Sequence, residues 1–232
     1  MEFGTPQFWL AGLEIIVINI LLSGDNAVVI ALACRNLPEK QRRWGIFWGA
    51  AGAIVLRIVL TIFAVSLLTL PWLKIIGAVL LLWIGVKLIA DESGEGGHEI
   101  QATDQLFAAV RTVIIADLVM SLDNVIGVAA AAKGSLTLLI FGLVLSIPLV
   151  IVGSQLIMKA IERFPILIVA GGGLLGYVAG EMAVTDTAIA DWINANAHWL
   201  HWGLPVAGIV LVVGVARLLQ ARAGHKAVEP PA

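Results

Sequence analysis

The sequence predicts an all-α membrane protein of seven transmembrane helices, built as a 3+3 inverted repeat plus one extra helix. Three observations carry that expectation. The 232 residues are 60% hydrophobic and only 13% charged, where a soluble domain carries about 25% charged residues. Seven apolar stretches recur along the chain, each of roughly 20 residues, the length that crosses hydrocarbon. One polar motif occurs twice, in the first and the fourth spans. The whole chain, 1–232, reads as a single integral membrane domain. A core of this size buries roughly three quarters of the unfolded surface, so the apolar excess faces lipid. The net charge of −2 lacks the basic surplus of a nucleic-acid binder. Cys34 is the one cysteine and makes no internal disulfide.

The elements follow in order, with span limits good to about a few residues. The first span, at about 8–33, is too long for a cleavable signal peptide, and no basic stretch precedes it. Arg35, Lys40, Arg42 and Arg43 form a basic loop after it. The second span, about 45–69, is apolar apart from Arg57, and the third runs over about 72–90. Residues 91–104, rich in glycine and acid, read as a solvated linker. The fourth span, about 107–131, opens the second repeat. The fifth, about 135–158, contains Pro148, which is expected to kink it. The sixth, about 165–183, carries Gly172, Gly176 and Gly180 as a small-residue face for close packing. Residues 185–202, with Asp186, Asp191, His198, Trp192, Trp199 and Trp202, read as a short interfacial helix on the outer face. The extra helix lies at about 203–220. Repeat one thus covers about 8–90 and repeat two about 107–183.

Orientation follows from the basic residues. Eleven lie on one side of the predicted spans and only Lys74 and Lys133 on the other. That bias places the N-terminus outside and the C-terminus in the cytoplasm of a multi-pass inner (plasma) membrane protein. Seven of the eight tryptophans sit near span ends, where an amphipathic ring suits the headgroup layer.

The repeat is read residue by residue. Residues 15–31 are IIVINILLSGDNAVVIA, and residues 113–129 are VIIADLVMSLDNVIGVA. A shift of 98 superposes Ser23 on Ser121, Asp25 on Asp123, Asn26 on Asn124 and Asn19 on Asp117. Three helices reverse direction, so the copies cross the membrane oppositely, the signature of an inverted repeat with its site near the midplane.

An intramembrane carboxylate is costly and is a functional hypothesis by default. The spans hold three: Asp25, Asp117 and Asp123. Asn19, Ser23 and Asn26 share one helix face, as do Asp117, Ser121 and Asn124. Asp25 and Asp123 lie about 100° away on an ideal helix, and unwinding at Gly24 would turn Asp25 toward the same cavity. Bridging one ion, Asp25 and Asp123 would approach to roughly 4 to 8 Å. Carboxylate and amide oxygens suit hard divalent cations such as Mg²⁺, Ca²⁺ or Mn²⁺. A purely structural role, holding helices together, suits Ser and Asn but not three acids in duplicated registers. Arg57 is too deep to snorkel and needs a partner, a carboxylate of the site. It either balances charge structurally or occupies an acid until metal displaces it. Glu14, nearer the outer end of helix one, either lines the exit or snorkels to the interface.

SGDNAVVIA in helix one and SLDNVIGVA in helix four resemble the paired motifs of the TerC family of integral membrane proteins, within the broader LysE-type transporter superfamily. The similarity runs from Phe8 to Leu219 and includes the basic loop after helix one. It implies a multi-span protein of a family linked to tellurium (tellurite) resistance and, for several members, to manganese efflux. Asp25, Asn26, Asp123 and Asn124 are the matching positions, with Asn19 and Asp117 as an extension.

The leading expectation is therefore export of divalent cations, manganese by resemblance, through alternating access. Proton coupling is its companion, since an unpaired intramembrane carboxyl exchanges a proton for a metal readily. The expected partners are the lipid bilayer and the cation itself; no resident cofactor and no enzymatic activity are expected. An exporter of amino acids or other small solutes is the alternative, but an organic carboxylate wants a cationic clamp and only Arg57 lies inside the membrane. An intramembrane aspartyl protease would need a GxGD motif, and Leu22 stands where the first glycine should be. A scaffold for soluble partners has only short loops to offer.

Overall fold

The computed structural model describes Trp9, Leu13 and residues 24–63, 67, 70–90, 102–131 and 136–226, and of these the backbone alone for 102, 123–131, 136, 138 and 223–226. Among the described residues the chain forms eight helices. They are α1 (Gly24–Cys34), α2 (Glu39–Ile62), α3 (Leu73–Ala90), α4 (Ala102–Ala131), α5 (Leu136–Arg163), α6 (Ile166–Val184), α7 (Ala190–Asn196) and α8 (Leu200–Lys226). Six of them, α2 to α6 and α8, are long and apolar enough to cross a membrane, and α1 is a shorter apolar helix. Seven spans were expected; residues 8, 10–12 and 14–23 of the first lie outside the described residues.

Helices overrun the apolar stretches that predict them. The second begins at Glu39 rather than near residue 45, and the fifth ends at Arg163 rather than near 158. The hydrogen-bond ladder closes within the helix, so it continues into the polar layer while hydropathy stops at the hydrocarbon edge. Pro148 lies inside α5, which continues past it to Arg163. The interfacial segment condenses into α7, shorter than residues 185–202 suggested. Residues 91–101 of the acidic linker and Glu14 lie outside the described residues.

Outward faces are apolar, as a lipid-solvated surface requires: Val55 is 62% exposed, Val79 61% and Val210 65%. Trp44, Trp48, Trp72, Trp192, Trp199 and Trp202 are likewise exposed. The interior is a packed cluster drawn from α1 to α6, including Ile30, Ile46, Leu81, Val113, Met158 and Leu175.

Two groupings organise the bundle. In one, α6 packs on α8 and α3 packs on both. The backbones meet where Gly176 faces Gly208: a Cβ on Gly176 would strike the Gly208 carbonyl, and one on Gly180 would strike Leu204 and Pro205. Gly176 and Gly180 of the expected small-residue face thus pack against the extra helix, while Gly172 meets Gly85 and Ile89 of α3. In the other grouping α1 packs on α5, α4 packs on α2, and α1 meets α4 while α2 meets α5. The groupings join where α3 touches α4 and α6 touches α1.

Polar contacts fix which helix ends lie together. Arg35 Nη1 donates to the Leu88 carbonyl at 2.7 Å, Gln220 Nε2 to the Ile89 carbonyl at 3.0 Å, and Arg42 Nη1 pairs with Glu162 at 2.6 Å. The end of α1, the start of α2 and the ends of α3, α5 and α8 therefore share one rim, the basic one.

At the opposite rim Asp186, fully buried, holds the start of α3. Its Oδ1 accepts the Trp72 and Ala188 N–H groups at 3.0 and 2.8 Å. Its Oδ2 accepts those of Lys74 and Ile75 at 3.0 and 3.2 Å. Those donors at the helix start have no partner within their own helix. Burial opposes the Asp186 charge, but the N–H groups of Ala188, Trp72, Ile75 and Lys74 outweigh it and hold the carboxyl below the ordinary carboxylate range. Trp72 sits at φ 69°, a left-handed conformation that costs a non-glycine residue about 1 to 2 kcal/mol, and its bond to Asp186 helps to hold it there.

Candidate functional site

The site lies where α1, α2 and α4 meet. Arg57 on α2 is buried, and its Nη2 donates to Asp117 Oδ1 on α4 at 2.7 Å. Arg57 Nε donates to Ser121 Oγ at 3.1 Å, and Ser121 Oγ donates to Asp117 Oδ2, also at 3.1 Å. The ion pair is shielded on both sides, with side chains 3% and 4% exposed. Helical spacing places Asp117 and Ser121 on one face of α4, and Thr61 Oγ1 donates to the Arg57 carbonyl at 2.7 Å. The partner expected for Arg57 is thus found, and it is Asp117.

Asp25 and Asn26 open the described part of α1. The Asn26 backbone N–H donates to Asp25 Oδ1 at 2.8 Å. The Asp25 carboxylate stands within electrostatic range of both Arg57 and Asp117. The Asn26 side chain is buried, and among the described residues neither its Oδ1 nor its Nδ2 has a hydrogen-bond partner. A buried amide left this way costs about 1 to 3 kcal/mol and calls for an explanation.

Of the residues singled out in the sequence, the arrangement brings Arg57, Asp117 and Ser121 into direct contact, sets Asp25 within electrostatic range of Arg57 and Asp117, and leaves Asn26 beside Asp25 on α1. Asp123 and Asn124 follow on α4, but their side chains, like the whole of Asn19, lie outside the described residues. The approach of Asp25 to Asp123 therefore falls outside them too. Among the described residues no three His, Cys, Asp or Glu side chains converge as a metal-ligating cluster. What meets the Arg57 guanidinium is the Asp117 carboxylate and the Ser121 hydroxyl, with the Asp25 carboxylate within electrostatic range.

Two features went unread in the sequence. Asp186 falls in the stretch read as a short interfacial helix on the outer face, yet it is buried and bound to backbone 111 to 114 residues away. Glu181 on α6 lines a 420 Å³ cavity with Tyr177, Thr185, His201 and Trp202, and Tyr177 Oη donates to it at 3.3 Å. An exposed acid near a helix end carries no periodic signal that would mark it.

Comparison with known proteins adds kinship. The family described as integral membrane protein TerC matches residues 4–224. The chain is 46% identical over 201 residues to the uncharacterized membrane protein YjbE of Bacillus subtilis, covering 87% of this chain and 91% of that protein. It is 26% identical over 237 residues to YkoY of the same organism, covering 93% and 71%. It is 27% identical over 177 residues to the inner membrane protein YgdQ of Escherichia coli K12, covering 69% and 74%. The chain matches no solved structure.

Proposed function

The chain belongs to the TerC family of integral membrane proteins, and from that premise we propose that it exports divalent metal cations, manganese foremost, from the cytoplasm by alternating access. The observation that carries the reading is the buried Asn26 amide, unpartnered among the described residues, next along α1 to Asp25, whose carboxylate stands within electrostatic range of Arg57 and Asp117. Oxygen donors of that kind match a hard cation that must trade its hydration shell for carboxylate, amide and hydroxyl oxygens. The ion is substrate, the activity is transport rather than catalysis, and protons returning to Asp25 or its repeat partner Asp123 are the coupling we favour.

The inverted repeat supports the mechanism. Exchanging α1 with α4, α2 with α5 and α3 with α6 carries α1 on α5 into α4 on α2, and α3 on α4 into α6 on α1. The α1–α4, α2–α5 and α3–α6 contacts map onto themselves. Such an interchange is what two three-helix units related by an in-plane two-fold axis would give, with α8 as the extra helix. The basic rim faces the cytoplasm in this reading, and a place in the inner membrane accords with the description of YgdQ.

The test is intracellular manganese in cells challenged with external Mn²⁺. Asp25→Asn and Asp123→Asn keep size but remove the negative charge that offsets ion dehydration. Both are expected to lose protection at unchanged membrane levels. Protection equal to the parent in both variants would exclude transport through this site.

A further inference from the structure

The geometry points to a phospholipid site on the lipid-facing side of the α2–α4 seam, with one acyl chain in a groove between the helices and an anionic headgroup on Lys40 and Arg43. The groove has a volume of 710 Å³ and is apolar apart from Thr103. Its form follows from the packing. A Cβ on Gly45 would meet Leu106, one on Gly49 would meet Val113 and one on Gly52 would meet Ile114, so α2 and α4 run side by side in the same direction. Gly52 has no side chain to fill the seam, while Trp48, Val55, Val59 and Phe107 stand exposed along it. The lining runs over residues 48–59 of α2 and 103–114 of α4, about 16 Å of helix on either side. One leaflet is half of a hydrocarbon core about 30 Å thick. The groove therefore matches an extended acyl chain of the leaflet at the basic rim, and it covers the seam in which Arg57 meets Asp117.

Charge at the rim selects the headgroup. A second cavity, of 770 Å³, is lined by Glu39, Lys40, Arg43, Trp44 and Phe47. A row of edge-on rings leads from it to the groove: Trp44 and Phe47 lie 6.2 Å apart between centroids, Phe47 and Trp48 5.3 Å. Tryptophan favours the headgroup layer, so this row marks the depth at which a phosphate sits above its acyl chains. Lys40 and Arg43 are exposed and make no ion pair among the described residues, whereas Arg42 is engaged with Glu162. With Glu39 beside them the cavity's net formal charge is about +1, the complement of one phosphodiester, and a guanidinium fork matches phosphate oxygens in pairs. A zwitterionic headgroup carries its own ammonium and gains less there. A second copy of the chain is the competing occupant. Two copies facing each other across this groove in one membrane would set Lys40 and Arg43 of each at the same depth, like charge against like.

The test uses the purified protein, titrated with phosphatidylglycerol or with phosphatidylcholine of identical chains, and counts retained lipids by native mass spectrometry. Wild type is expected to retain phosphatidylglycerol at a concentration about tenfold lower than phosphatidylcholine. Lys40→Gln with Arg43→Gln removes both charges from exposed positions and is expected to abolish that preference. Val55→Trp fills the groove from its exposed wall and should weaken retention of both lipids about tenfold. Val79→Trp, on the exposed face of α3, should leave both unchanged. Equal retention of the two lipids by wild type, or an unchanged preference in the double variant, overturns the headgroup site. Unchanged retention in Val55→Trp, or an equal loss in Val79→Trp, overturns the groove. A wild-type dimer that becomes a monomer in Val55→Trp assigns the groove to a second copy and overturns the lipid.

Discussion

Removing Arg57 without compensating Asp117 should be among the most damaging single changes available in this chain. Arg57→Met keeps the apolar stem but strands the Asp117 carboxylate, whose side chain is 4% exposed, and removes the Nε donor to Ser121. Breaking a buried ion pair on one side costs about 3 to 5 kcal/mol, a hundred-fold or greater fall in the folding constant at about 1.4 kcal/mol per factor of ten. Asp117→Leu strands the guanidinium instead, but Asp25 remains within its electrostatic range, so its cost lies near the lower limit, about 3 kcal/mol. Arg57→Met with Asp117→Leu removes both charges and should recover most of the loss, a coupling of about 3 kcal/mol or more. The assay is reversible unfolding in mixed micelles of rising dodecyl sulfate content, followed by far-ultraviolet circular dichroism. Single changes each costing under about 1 kcal/mol, or a double as costly as both singles together, would refute the premise that this pair is shielded and mutually dependent.

Asp186→Asn is expected to lower stability by about 2 kcal/mol, because one carboxylate oxygen becomes an NH₂ facing donors at Lys74 and Ile75. Since the Asp186 carboxyl is held below its ordinary range, its contribution is complete above about pH 4 and fades as pH falls through the lowered value. The acid slope of unfolding below about pH 4 should flatten in the variant; an unchanged slope counts against the anchoring role. Gly176→Val forces a side chain into the Gly208 backbone and should cost about 1 to 3 kcal/mol or more in the same micelle assay, whereas a neutral result would mean that α6 and α8 are not in close contact.

What the sequence could reveal was set by whether the signal was local. Duplicated Asp-Asn pairs stand out because each copy is contiguous, and an arginine inside an apolar run announces that some carboxylate must answer it. Which carboxylate answers was not legible, because helical phase ranks faces within α4 but does not say which of its faces meets α2. Asp186 escaped for a different reason: it receives backbone N–H groups from a distant helix start, which no side-chain pattern announces, and Lys74, the one charged residue of 72–75, gives it a backbone N–H while its ammonium reaches Thr185. Helix limits were misread where Glu39 and Arg163 extend α2 and α5 past the hydrocarbon, since hydropathy reports solvent and not backbone pairing.

The Asp186 anchor also limits how the bundle can be rearranged. Sliding α3 along its axis by even one helical rise, about 1.5 Å, would pull the Trp72, Lys74 and Ile75 N–H groups off their acceptor together. On the far flank of α6, the Gly176–Gly208 contact leaves no slack for α8 to tilt inward. The α3–α6–α8 side is therefore built as a stator, and longitudinal shear falls to α1, α2, α4 and α5, the helices whose mutual grip includes the buried ion pair of Arg57 and Asp117 and the rim pair of Arg42 and Glu162.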